Sequence, residues 1–189
     1  MFDYDPEAKR QSEEWHTKSS RPKKARMSRS RVKTMTIVFF DSRGIVHKEF
    51  VPPGKAVNHA FYKDILERLR KRVQRVQMDI ADDWVLQHDN APAHVALSIR
   101  EFLAKKNIPL LPHPPYSPDL APCDFYLFPK MKSKLKGHHF GTMENIQKIV
   151  TDELKTLTEN DFQYCYGQWK KRWKHCVTSK GSYFEGDNL

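Results

Sequence analysis

Five prolines, Pro112, Pro114, Pro115, Pro118 and Pro122, fall within eleven consecutive residues near the middle of this 189-residue chain. Proline fixes φ and carries no N–H, so neither a helix nor a central strand runs through such a segment. The chain is thereby divided into a front part and a back part, joined by a loop that has either a fixed shape or a job. At this length one domain with one main core is expected. Apolar residues make up 39% of the chain and aromatics 12%, more large apolar surface than a disordered polymer carries. The longest apolar run, Ile37-Val38-Phe39-Phe40, is far below the roughly 20 residues that span a bilayer, which excludes a membrane-spanning helix. The first ten residues hold acids and a proline and no apolar stretch, so no secretory signal is expected and the protein is read as intracellular. Cys123, Cys165 and Cys176 form no C-x-x-C pair and read as reduced, mostly buried thiols.

Ahead of the proline segment, Thr34-Met35-Thr36-Ile37-Val38-Phe39-Phe40 and Ile45-Val46-His47-Lys48-Glu49-Phe50-Val51 flank an Asp41-Ser42-Arg43-Gly44 turn and predict a β-hairpin. Phe61, Ile65, Leu66, Leu69, Val73 and Val76 then recur at intervals of three and four, with basic residues between them, and predict an amphipathic helix with a basic outer face. Trp84-Val85-Leu86-Gln87-His88 predicts a strand that ends at Asp89-Asn90 in a sharp turn, followed by a helix carrying Val95, Ile99, Phe102 and Leu103. Residues 108 to 111 predict another short strand that enters the proline segment. Behind it, helical spacing runs from Phe125 to a capping Gly137, with Pro129 expected to kink or delay the helix. Thr142 is placed as the N-cap of the next helix, and Thr158 with Asp161 as the capping box of the last, whose stripe is Phe162, Cys165, Tyr166, Trp169, Trp173 and Cys176. The class is α/β or α+β, with helices packed on a small mixed sheet.

Charge is unevenly spread along the chain. Of a net +10, the segment from Lys9 to Lys33 supplies +8, from ten basic residues against Glu13 and Glu14. Residues 1–33 lack apolar periodicity and read as a long basic arm, with Trp15 as an aromatic anchor, or as a solvated tail. A cationic segment of this kind meets a polyanion through phosphates. The remainder of the chain is nearly neutral in sum.

Two acids stand out. Asp89 lies where a strand ends in a turn, a place from which a carboxylate projects into a crevice while the strand fixes it. Asp124 lies beyond the prolines, at or near the first turn of a helix, where the positive end of the dipole favours it. Taken singly, each reads first as a turn or cap residue. The surrounding text adds more: His88-Asp89-Asn90-Ala91-Pro92-Ala93-His94, and Pro112-His113-Pro114-Pro115-Tyr116-Ser117-Pro118-Asp119-Leu120-Ala121-Pro122-Cys123-Asp124, with 34 residues between the two aspartates. Both motifs and their separation resemble the second and third acidic motifs of mariner-type transposases. The likeness extends over Asp3-Tyr4-Asp5-Pro6, the segment Arg21 to Arg26, the hairpin, Arg172-Trp173 with Cys176, and the run from Gly181 to Asp187.

That resemblance implies an RNase H-like mixed sheet with flanking helices, divided here into an arm over 1–33 that corresponds to the family's clamp loop, a catalytic core over 34–140, and C-terminal helices of the same domain over 141–189. It implies that Asp89 and Asp124 are catalytic and ligate two Mg²⁺ or Mn²⁺ ions for cleavage and transfer of DNA strands. Asp119, in the same loop, is the competing acid, and its Ser-Pro-Asp setting suits a turn. His88, Asn90, His94 and His113 read as loop-shaping groups. The implied partners are transposon-end DNA and a second copy of the chain, with no membrane and no small-molecule substrate, and the implied location is the nucleus. Arg21, Lys23, Lys24, Arg26, Arg29, Arg31 and Lys33 are the expected phosphate contacts; Lys130, Lys132, Lys134 and Lys136 extend the track or form a solvated face. In the family a further aspartate sits in a Gly-Asp-Glu motif on the first strand, a position that falls roughly four residues before Met1. Most of that strand is therefore expected to be absent and catalysis impaired. The alternatives are a non-catalytic, transposon-derived DNA-binding protein and, last, a basic protein that binds RNA.

Overall fold

The computed structural model describes residues 2–4, 27–29, 34–135 and 140–181. Within these, Met35–Phe40 (β3) and Ile45–Val51 (β4) form the expected antiparallel hairpin, with Met35 opposite Val51 and a bulge between Phe39 and Phe40. Its turn closes as the sequence implies. The Asp41 N–H donates to the Gly44 carbonyl at 2.9 Å, while Asp41 Oδ1 accepts from the Arg43 and Gly44 N–H groups.

Successive side chains of a strand point to opposite faces, and β3 uses this to hold two cores apart. Phe39 packs against the cluster of Tyr62, Leu66, Leu69, Val73, Ile99 and Phe102. Val38 joins Leu127, Met131, Leu135, Ile146, Val150 and Leu154 on the other side, with Phe40 beside them. Helix α1 (His59–Val76) and helix α3 (Leu97–Lys105) therefore cover one face, and α4 (Phe128–Leu135) with α5 (Met143–Lys155) cover the other. The single core expected from length is thus two apolar clusters with the hairpin between them.

The expected mixed sheet appears among the described residues as three two-stranded pieces. Besides the hairpin, β5 (Leu86–Gln87) pairs parallel with β6 (Leu110–Leu111), and β1 (Phe2–Tyr4) pairs antiparallel with β2 (Met27–Arg29). That last ladder corrects the reading of 1–33 as wholly irregular, since backbone pairing needs no apolar periodicity. Arg29 lies in β2; Arg21, Lys23, Lys24, Arg26, Arg31, Lys33, Lys136 and Gly137 lie outside the described residues.

Three local corrections have physical causes. Val76 is 52% exposed rather than inward, because α1 ends there and Gln77 turns in to donate to Asp41 Oδ2. The helix expected after Asn90 is broken at Ala96 (ψ 144°) into a four-residue turn, α2 (Pro92–Val95), and α3. The helix expected from Phe125 opens as a widened, π-type turn over Cys123–Leu127 before α4 begins, with the Phe128 N–H reaching back to the Cys123 carbonyl. Pro129, second in α4, offers no N–H to the carbonyl four residues back, and a widened turn accommodates its ring. The caps are as expected: Thr142 accepts from the Asn145 N–H, and Thr158 and Asp161 form a capping box at the start of α6 (Glu159–Thr178). Among the described residues no helix is long and apolar enough to cross a membrane.

Candidate active site

Asp89 follows β5 after one residue, His88. The strand itself is two residues long, but Leu86 is buried and its N–H donates to the Pro109 carbonyl at 2.9 Å, so the exit is fixed on both sides. The turn after it is closed by the aspartate: Oδ1 accepts from the Ala91 N–H at 3.1 Å and bonds His94 Nδ1 at 2.6 Å. The ring of His94 lies over Tyr62, centroids 4.0 Å apart, and stacks on His88 at 5.1 Å. Burial holds Tyr62 well above the ordinary phenol range, with the charge of Asp89 adding to it, so its hydroxyl keeps its proton. It lies in hydrogen-bond contact with His88 Nδ1 at 3.0 Å. Burial, with His94 second, pushes His88 down to about 4, so the ring is neutral at pH 7. Nε2 is buried and has no hydrogen-bond partner.

The proline segment is tied back to this turn. Asn90 Nδ2 donates to the His113 carbonyl at 2.8 Å, and Gln87 Nε2 lies 3.2 Å from His113 Nδ1. Farther along, Leu120 and Ala121 are buried, and the indole N–H of Trp169 in α6 donates to the Leu120 carbonyl at 2.8 Å. Arg172, one turn on, sits over the ring of Phe125, 4.4 Å from its centroid. The loop is thus held in one shape by groups before and after it, and it delivers Asp124 in the widened turn.

The two carboxyls differ in their surroundings. Burial raises Asp89, yet the Ala91 N–H and His94 outweigh it and leave the group below its ordinary value. Burial also raises Asp124, the charge of Asp89 raises it further, and Lys132 and His113 oppose without prevailing. Cys123, beside it, is pushed up to about 12 by burial, then by Asp124, Cys165 and Asp89, so it is a neutral, inert thiol. The charge of Asp89 thus reaches Asp124, while His94 bonds Asp89 and the charge of His113 reaches Asp124. Asp119 lies in the short turn Pro118–Leu120, where its carbonyl faces Arg172.

A carboxylate whose proton affinity is raised by burial and by a second carboxylate's charge, as Asp124 is by Asp89, suits a hard divalent cation, which takes oxygen ligands and relieves that repulsion. Among the described residues no group of three or more His, Cys, Asp or Glu is close enough to hold a metal ion. The fit is that of part of a cation site.

With this geometry in view, the comparisons with known proteins are specific. Residues 5–81 match the family model described as Transposase (partial DDE domain). The chain is 37% identical over 166 residues to the mariner Mos1 transposase of Drosophila mauritiana, covering 85% of this chain and 48% of that one. It also superposes on the solved Mos1 transposase catalytic domain with a TM-score of 0.76 at 34% identity, covering 80% of this chain and 77% of that domain. The chain belongs to the mariner-type transposases. Its RNase H-like α/β fold is that of their catalytic domain. The chain is also similar to the human histone-lysine N-methyltransferase SETMAR, at 28% identity over 155 residues, 81% of this chain and 23% of that protein. The chain spans about half the length of Mos1 transposase and about a quarter of SETMAR. A Mos1 paired end complex with Mn superposes with a TM-score of 0.82 at 32% identity, over 92% of this chain and 52% of that one.

Against this mariner frame, two of the expected phosphate-track lysines are compensated within the fold. Lys130 is ion-paired with Asp161, and Lys134 with Glu153 at 2.7 Å. Lys132 is exposed, and its charge reaches Asp124. Residue reading missed Tyr62, which is 1% exposed and carries both histidine contacts. The signal was in the sequence: Tyr62, Leu66, Leu69 and Val73 keep the interval of three and four as well as the stripe through Phe61 does.

Proposed function

We propose that this chain is the core of a DNA transposase that cuts and joins strands at transposon ends by metal-dependent phosphoryl transfer. The observation that carries the reading is the charge of Asp89 reaching Asp124, in a chain of the mariner family, whose solved Mos1 catalytic domains were obtained with Mg or Mn. Asp89 and Asp124 would hold the divalent ions, and when bound these supply positive charge to the attacking and leaving oxygens of the phosphate.

The remaining chemistry belongs to the chain's own residues. His94 and the Ala91 N–H occupy Oδ1 of Asp89 and fix the plane of the carboxyl, so that Oδ2 would be the oxygen available to a cation. Neutral His88 adds no positive charge beside the ligands and anchors the turn to Tyr62. The Asn90 bond to His113 sets the proline loop against the strand end, which supports a fixed position for Asp124 relative to Asp89. The same reading makes DNA ends the partner, as in the Mos1 paired end and strand transfer complexes, with the arm residues on phosphates, a second copy completing the assembly, and the nucleus the place of action.

The test is strand cleavage of inverted-repeat DNA with Mn²⁺ by the parent, Asp89→Asn and Asp124→Asn. Cleavage lost by about 10²-fold or more in both variants, with salt-sensitive DNA binding retained, is the expected result. Cleavage that survives in both, or binding without any metal-dependent cleavage by the parent, overturns the enzymatic reading.

A further inference from the structure

Away from the acid pair, β4, α1 and α5 enclose an open groove of about 820 Å³ that contains no acidic side chain and six cationic ones: Lys48, Arg68, Lys71, Arg72, Arg75 and Lys155. Its floor is apolar, formed by Ile45, Leu154 and Phe162 among others. Two of the six cations are compensated. Arg68 makes a bidentate pair with Glu49, at 2.6 and 2.7 Å, and Lys155 faces Asp152 at 3.6 Å. Among the described residues Lys71, Arg72 and Arg75 have no ion pair, and the Lys48 ammonium is covered, without a hydrogen-bond partner, 5.8 Å from the centroid of Phe50. Burial first and Lys155 second hold Lys48 below the ordinary lysine range. Four cations left unneutralised in one concavity repel one another, a standing cost to the fold that a bound polyanion removes.

The spacing selects the polyanion. Arg68, Lys71, Arg72 and Arg75 stand at i, i+3, i+4 and i+7 of α1 and so share one helix face, covering about 10 Å of its axis. One strand of duplex DNA places a phosphate about every 3.4 Å along its axis, so that face spans about three phosphates. Arginine forks add bidentate geometry suited to phosphate oxygens. Tyr62, which anchors the Asp89 turn, and Arg72 at the groove are ten residues apart on α1, or about 15 Å.

We infer that this groove is a second nucleic-acid contact, taking the phosphate backbone of duplex DNA at a distance from the carboxylates rather than at them. It rests on the reading of the chain as a DNA-processing protein, but it makes a separate claim about where a duplex lies.

The test is fluorescence anisotropy of a short labelled duplex in EDTA, titrated over a range of KCl concentrations, with the full chain. The triple variant Lys71→Gln, Arg72→Gln, Arg75→Gln is compared with an equal charge loss on exposed lysines of α6: Lys170→Gln, Lys171→Gln, Lys174→Gln. The groove variant is expected to lower the slope of log K against log salt by about 2.7, and the α6 variant by less than about 1. The charge-keeping triple Lys71→Arg, Arg72→Lys, Arg75→Lys is expected to retain the parent's slope, and circular dichroism checks that each variant folds. Equal loss from the two glutamine triples overturns the proposal, because binding then follows net charge alone. So does a labelled polyglutamate peptide that binds as tightly as the duplex and is lost with the groove triple, which marks an acidic-peptide site. The two readings fail separately. A groove triple that binds like the parent, while Asp89→Asn abolishes cleavage, removes this inference and leaves the transposase reading. A groove-dependent slope in a chain whose cleavage ignores both aspartates does the reverse.

Discussion

At the amino end of α1, Tyr62, His88, His94 and Asp89 are joined by hydrogen bonds and ring contacts at short range, with only His88 Nε2 among these unpaired within the described residues. Toward the carboxyl end of the same helix, Lys71, Arg72 and Arg75 project into a groove with no acidic lining. One helix therefore carries a largely paired polar network and an open cationic surface on a single rigid rod. The difference teaches what each kind of charge is for. Groups that must keep one geometry are tied down by partners in the fold, whereas groups that meet a mobile polyanion are left without any. Substitutions at the first end are expected to change stability, and substitutions at the second to change binding.

Tyr62→Ala gives the largest contrast. The side chain is 1% exposed and sits in the cluster with Leu66, Ile99 and Phe102, so its removal is expected to cost about 3–5 kcal/mol in urea unfolding. Lys71→Ala or Arg75→Ala, both exposed, should stay within about 0.5 kcal/mol. Comparable losses at both ends would erase the distinction. Tyr62→Phe sharpens it: packing is kept while His88 Nδ1 loses its hydrogen-bond partner, and the expected loss is about 1–2 kcal/mol by the same measurement. A change of a few tenths would mean that water replaces the hydroxyl and the network is looser than drawn.

Much of this was legible beforehand, and the exceptions share a cause. The hairpin, the Thr142 cap and the Thr158–Asp161 box follow from alternation and from side chains that bond their own neighbours, which are local rules. Asp89 and Asp124 were legible through their motifs, and the loop between them through its prolines. The network around Asp89 was not, because Tyr62 meets His88 across 26 residues of sequence. The groove was still less so. The basic outer face of α1 was read from its spacing, but its meeting with Lys48 of β4 and Lys155 of α5 was not, because that needs three elements packed together. The π-type turn at Asp124 needed both Pro129 and the packing of Leu127, which is 0% exposed. Periodicity alone carries neither.

The smallest expected effect tests the border between the two regimes. Glu49 is the acid that compensates a groove cation: it holds Arg68 by two bonds and lies 2.6 Å from His47 Nε2. The hydrogen bond from Arg68 acts first, burial opposes it, and His47 adds to it, so the carboxyl sits below its ordinary value. A depressed carboxylate stabilises the fold above its unfolded value of about 4.5, and that contribution is lost as pH falls through the lower, folded value. Because Arg68 is 46% exposed, screening keeps the pair to roughly 0.5–1 kcal/mol. Glu49→Gln should therefore lower stability by that amount at pH 7 and flatten the fall in stability between about pH 5 and 3, read by urea unfolding at each pH. The same substitution releases Arg68 into the groove, so duplex binding should tighten roughly threefold to tenfold at low salt and the salt slope should steepen by about 0.9. Weaker binding after Glu49→Gln would mean that Arg68 serves the hairpin and not the groove, leaving the cationic surface to Lys48, Lys71, Arg72 and Arg75 alone.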